Sequence, residues 1–336
     1  MNVFFRMISM ACLCLPLSMQ AQTNDFYDDA ETIPLAFSSV RIEGEIAELT
    51  VPDLNSLPLR SVIVKETLLS DKGDKFVGAY RYDGYSLYDL LNSIVLKKKN
   101  EAEFPPIIDL YVEVENDKGE KVILSWGELY YPIHRHEILI ATKVARIVPS
   151  KTKELWPLPA QSKLVVASDL LTHRNISNPV KITIRSFQGE FIIRKGMKPM
   201  VSEQVSIQDH DKVLNQYKSL PAQTVVTFPT VFYGRGTGIH GTTPFQGVML
   251  KDMLSSYFKI ENEYLQTGVF VMTGKDGYHA VFTFSEVMNR NDQAEVLLVS
   301  TPENEDGGEF KLFPAMDFFS DRAIKSLESI RFVNMK

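Results

Sequence analysis

The sequence predicts an α+β fold built twice in tandem, each copy a mixed sheet with peripheral helices. Three observations predict it. The pattern aromatic-x-Gly-x-x-Leu-x-Asp-apolar-Leu occurs at Tyr82–Leu91 and again at Phe245–Leu254, a shift of 163 positions. Short alternating or β-branched runs are followed in both halves by helix-start signals of the form Ser/Thr-x-x-Glu. Three blocks recur in the same order with falling shifts of 163, 158 and 148, as expected for duplicated units that differ in loop length.

A chain of 336 residues, 44% of them apolar, is long enough for about two cores. Its 36 basic and 42 acidic residues leave a formal charge of −6, which excludes the basic stripe that nucleic acid requires. Lys97-Lys98-Lys99 reads as a solvated loop. Arg6, the apolar stretch Met7 to Leu17 and the small Ala21 predict a signal peptide over 1–21, cleaved near Ala21–Gln22, and therefore export, to the periplasm. No later stretch reaches ~18 consecutive apolar residues, so no membrane span is expected. Cys12 and Cys14 both fall in the cleaved segment, which leaves no disulfide and no thiolate ligand.

Residues 22–35, with Asp25, Asp28, Asp29 and Glu31, read as a flexible leader. The first copy then spans 36–186. Val40–Ile46 alternates as a strand, and Ser61–Lys65 is a buried strand. Ser86 caps a helix with Asp89 three residues on, and Leu87, Leu90, Leu91 and Ile94 form its apolar face. Leu110–Glu115 and Val122–Leu124 form a hairpin about Asn116–Gly119. Ser125-x-x-Glu128 opens a second helix, and Ile138–Ala141 and Lys163–Ile184 supply further core. Residues 187–199, with Gly189, Gly196 and Pro199, mark the boundary. The second copy, 200–334, repeats the order. Leu250, Met253, Leu254 and Tyr257 match the first helix. Gly268–Thr273 and Tyr278–Phe282 form a hairpin about Asp276-Gly277, and Thr283-x-x-Glu286 is the second capping box. Val296–Val299 and Lys311–Phe332 complete it.

Taken together, Leu49-Thr50-Val51-Pro52-Asp53-Leu54, the aromatic-x-Gly-x-x-Leu pattern, Asp276-Gly277-Tyr278, Phe284-Ser285-Glu286 and Val296–Val299 resemble the sulfite-oxidase-type molybdopterin-binding domain, once per copy. The resemblance implies two tandem copies of that fold and, by resemblance only, a molybdopterin cofactor. That family holds its metal through one cysteine, and the corresponding segments here are Lys65-Glu66-Thr67 and Phe228-Pro229-Thr230. A hydroxyl is a poor substitute for a soft thiolate, so molybdenum is not expected. The family's Gly-x-Pro-Leu-Arg segment is also absent, replaced by Leu155–Pro159 and by Asp306–Glu309.

No catalytic residue and no metal ligand set is marked. His134-Arg135-His136 offers two imidazoles without a third ligand and reads as an exposed turn. The loop Tyr233–Phe245 is the predicted binding site. Its glycines let backbone N–H groups approach an anion, Arg235 supplies a bidentate cation, His240 an imidazole, and Tyr233 and Phe245 flank a planar ring. The matching loop of copy one, with Lys72, Lys75, Tyr80 and Arg81, reads as a degenerate site or partner surface. The expectation is an exported, non-catalytic binding or interaction protein for an anionic or planar small ligand, or for an envelope protein. The alternatives are a molybdopterin oxidoreductase without a cysteine ligand and an accessory subunit of an envelope complex.

Overall fold

Strands, not helices, organise the chain. The computed structural model describes residues 30–198, 200–300 and 310–336. The predicted signal peptide with both cysteines, most of the leader, Pro199 and Asp306–Glu309 lie outside the described residues. The first half contains β1 (Ile33–Pro34), β2 (Arg41–Gly44), β3 (Arg60–Ser70), β4 (Gly73–Ser86), α1 (Leu87–Leu91), β5 (Leu110–Asn116), β6 (Lys121–Ser125), α2 (Trp126–Tyr130), β7 (Ile138–Arg146), β8 (Lys163–Val166) and β9 (Pro179–Ser186). The second contains β10 (Val205–Asp209), β11 (Lys212–Tyr217), β12 (Val225–Phe228), β13 (Phe232–Gly234), β14 (Gly238–Gly241), β15 (Phe245–Met249), α3 (Leu250–Leu254), α4 (Asn262–Thr267), β16 (Gly268–Gly274), β17 (His279–Thr283), α5 (Phe284–Met288), β18 (Val296–Val299), β19 (Lys311–Pro314) and β20 (Leu327–Asn334).

The protein is mostly β, with 44% strand and 11% helix, and its small sheets are arranged like the four blades of a propeller. This overturns the α+β expectation and, with it, the sulfite-oxidase-like, molybdopterin-binding fold. The helix starts were read correctly: Ser125 and Thr283 each form a complete capping box. A cap specifies where a helix begins and not how far it runs. Among the described residues, four of the five α-helices stop after five residues, and the fifth after six. The pterin expectation loses its ground in the fold. Nor do the residues fit it: Glu66 is tied to Lys163 and the Thr67 N–H to Thr172.

Each half supplies two sheets with the same strand order. One is β2-β9-β5-β6, matched by β10-β20-β16-β17 with β11 added on the outer edge. The other is β3-β4-β7-β8, with β1 alongside β7, matched by β12-β15-β18-β19. Registers coincide too. Ile42 lies beside Ile182 in a parallel pair, as Ile207 lies beside Ile330. Val112 faces Leu124 as Phe270 faces Phe282. Gly84 faces Ala141 as Gly247 faces Val299. At both glycines an added Cβ would strike the carbonyl of the neighbouring strand, Ile140 in one half and Leu298 in the other.

The match fails at one place. Val62 pairs with Tyr82, but Phe245 pairs with Phe228 and not with Val225. The gapless shift of 163 therefore slips by three residues along β12. Proline has no N–H to donate to a ladder, and Pro229 ends β12 after four residues where β3 runs for eleven. The chain then folds into the separate hairpin β13–β14. A second correction concerns Lys97–Lys99. Lys98 is not solvated: its side chain is buried, 2.8 Å from the buried Asp109 carboxylate, a partner too far along the chain for a charge run to reveal.

The halves meet through equivalent residues. Tyr111 and Ile123 of β5 and β6 pack in one cluster with Val269 and Val281 of β16 and β17. Leu170 donates its N–H to the Asn289 carbonyl, and Phe318 donates to that of Tyr131, both at 2.8 Å. Between these lies a buried ionic cluster. Arg174 forks onto Asp169 at 2.7 and 2.8 Å and reaches Glu128 at 2.9 Å. Arg322 forks onto Asp317 at 2.6 and 2.8 Å and reaches Glu286 at 2.6 Å. The caps then cross over. Ser125 donates to Glu286 at 2.8 Å, and Thr283 donates to Glu128 at 3.3 Å.

Both guanidinium groups are essentially inaccessible to water. Replacing either arginine by methionine leaves buried carboxylates uncompensated, so Arg174→Met and Arg322→Met should each destabilise by about 3–5 kcal/mol in urea unfolding. Burial also pushes the Asp317 carboxyl up to about 6, against the pull of Arg322. An acid raised in the folded state takes up its proton there first. Its contribution to stability therefore grows as pH falls through 6 toward the ordinary value of 3.8, and is smallest above 6. Measured from pH 7 to pH 4.5, the stability of the wild type relative to Asp317→Asn should rise by about 2 kcal/mol, at ~1.4 kcal/mol per pH unit.

Candidate functional site

The predicted site loop is the β13–β14 hairpin and its approach to β15. Gly238 supplies the positive φ that closes the turn. The hairpin directs the four predicted residues to different places. Arg235 turns to Asp321, with Nε at 2.9 Å and Nη2 at 2.5 Å from one carboxylate oxygen, and lies 5.7 Å from the Tyr131 ring. Tyr233 is exposed and packs near Phe318 and Phe319, with ring centres 5.7 and 6.3 Å away. Only His240 and Phe245 border a common cavity.

That cavity measures about 350 Å³ and is bordered also by Phe232, Lys311, Ser320 and Lys325. Phe232 meets Phe245 edge-on at 5.3 Å, and Phe245 rests on Phe313 at 4.6 Å. The Lys311 ammonium sits over both cavity rings, 4.3 Å from the centre of Phe232 and 4.7 Å from that of Phe245. His240 holds Thr237 through Nε2 at 3.1 Å, and its ring lies 5.4 Å from Phe232. Among the described residues the lining contains two ammonium groups, an imidazole and hydroxyls, and no carboxylate. Such a lining favours an anionic group, and its two aromatic faces favour a flat apolar one.

The first half fills the corresponding place from within. There Lys163 grips the Glu66 carboxylate at 2.6 and 2.8 Å, and Tyr82 donates to the same carboxylate at 2.9 Å. Burial and Glu66 together raise the Tyr82 hydroxyl well above its usual range, so it stays a donor. In the second half the equivalent lysine, Lys311, lies over the rings of Phe232 and Phe245.

Sequence reasoning missed Phe232, Lys311 and Lys325. The signal for Lys311 was present, because Lys163 and Lys311 are identical at the shift of 148. Phe232 was hidden by the register slip. His136 contacts the Ser86 hydroxyl at 3.0 Å and lies 3.6 Å from Asp89, and its burial lowers its pKa. No group of three or more His, Cys, Asp or Glu residues that could hold a metal ion occurs among the described residues. No helix among them is long and apolar enough to cross a membrane. Comparison of the chain with known protein families and with curated proteins found no match.

Because Arg235 is half exposed in its ion pair, Arg235→Ala should cost no more than about 1 kcal/mol in thermal or urea unfolding.

Proposed function

We propose that this chain is an exported, non-catalytic binding protein for a small ligand that joins an anionic group to a planar ring, bound in the cavity between β14, β15 and β19. The observation that carries the reading is the Lys311 ammonium poised over Phe232 and Phe245 at the wall of that cavity. Lys311 and Lys325 each make a further interaction of their own. His240 and the Ser320 hydroxyl stand beside Lys311 as additional polar contacts. Export is supported by the basic and apolar N-terminal stretch of the sequence.

Titration with 1-naphthoate, set against 1-naphthylmethanol as the neutral control, tests this reading by calorimetry. Naphthoate should bind at least tenfold more tightly than the alcohol. Lys311→Met and Phe245→Ala should each weaken it about tenfold, equivalent to ~1.4 kcal/mol, while Arg235→Ala leaves it unchanged. Equal affinity for acid and alcohol, or loss through Arg235 alone, would remove the assignment.

A further inference from the structure

A second and larger cavity, of about 750 Å³, lies between the segment 187–195 that joins the halves and the loop before β5. Its floor holds His279, at the start of β17 and 1% exposed. The imidazole is stacked between two rings, Phe104 at 4.0 Å and Phe191 at 3.7 Å. Its Nδ1 lies 2.8 Å from the Gly277 carbonyl, and since a carbonyl can only accept, the hydrogen is on Nδ1. Burial drives the imidazole pKa down to about 4, so the ring is neutral near pH 7 and Nε2 is a bare acceptor.

That acceptor has no hydrogen-bond partner among the described residues. Another acceptor, Oδ2 of the wholly buried Asp109 carboxylate, lies 3.9 Å away. Asn100 donates its amide N–H to the same Oδ2 at 2.9 Å, which turns its own oxygen away, and that buried oxygen also lacks a partner. Asn100 and His279 both border the cavity, and so do the carboxylates of Glu103 and Glu190, with Lys195 the one cation among the described lining. A buried acceptor left without a donor costs about 1–3 kcal/mol. The Asp109 carboxylate is already held by the Lys98 ammonium, 2.8 Å from Oδ1, which leaves His279 Nε2 and Asn100 Oδ1 as the acceptors without a donor beside the cavity.

We propose that this cavity binds an organic amine in its ammonium form, its nitrogen donating to His279 Nε2 and Asn100 Oδ1 and its apolar body lying against Phe187 and Ile192. The site has the opposite charge preference to the Lys311 cavity and is independent of it. Its acceptors come from both halves, Asn100 from the first and His279 from the second, with the joining segment as roof.

The test uses the full chain at pH 7 with benzylamine, benzyl alcohol and benzoate, which share a ring and differ in the polar group. Benzylamine should bind at least tenfold more tightly than either control and should shift the His279 Nε2 resonance in long-range ¹H–¹⁵N spectra. His279→Phe keeps the stack of three rings and removes the acceptor. It should weaken benzylamine at least tenfold and leave the naphthoate response intact. If that variant does not fold, Asn100→Leu provides the same reading. Equal binding of the three compounds, or unchanged binding in the variants, overturns the proposal. So does no binding of benzylamine at millimolar concentration, the result expected if water alone serves these acceptors.

Discussion

Two guanidinium groups, buried with four carboxylates at the junction of the halves, are the constraint on which the rest of the structure depends. Removing such charges from water is expensive, and only near-complete pairing offsets it. The pairing draws on every level of the chain. Asp169 and Arg174, five residues apart, form one fork, as do Asp317 and Arg322. Glu128 and Glu286 belong to capping boxes, so the residues that start α2 and α5 also neutralise the arginines. The cap hydroxyls complete the circuit by bonding to the opposite half. Each half pairs its arginine with its own two carboxylates, and the cap hydroxyls tie the two clusters to each other.

Around this fixed centre the halves have diverged at their rims. The first keeps a long β3–β4 hairpin and seals it with Lys163, Glu66 and Tyr82. In the second, Pro229 cuts the ladder short, the chain spends its next residues on a separate hairpin, and the lysine faces aromatic rings beside a cavity. The same fold thus has a closed and an open version in one molecule. The difference between them coincides with a three-residue slip along β12 and with Pro229, which cannot donate an N–H, immediately after it.

Much of the architecture was legible because local chemistry determines it. Asp276-Gly277 makes a hairpin through a positive φ at Gly277, and Ser125-x-x-Glu128 makes a helix start, wherever they occur. What local chemistry leaves open is extent. Helices of five residues have the same caps as helices of fifteen, and so a chain of blades resembled an α+β domain. Non-local pairing was the other blind spot. Arg174 and Arg322 are identical at the shift of 148, but nothing near them in sequence indicates that Glu128 and Glu286 complete their charge. Lys98 looked solvated because Asp109 lies eleven positions away. His279 attracted no attention as a lone histidine, and its importance comes from Phe104 and Phe191, each from a distant segment.

The pairing of Tyr111 and Ile123 with Val269 and Val281 has a consequence for how the protein tolerates dilution. Equivalent patches meeting about a two-fold axis are the arrangement of a symmetric dimer. A dimer held by that surface would come apart below its dissociation constant and expose its buried charges each time. Here the partners share one backbone, and their local concentration is set by the segment that joins them, on the order of millimolar for a short tether. At high dilution, a two-chain version would face continual dissociation. The single chain meets its partner at the same strength however thinly it is spread.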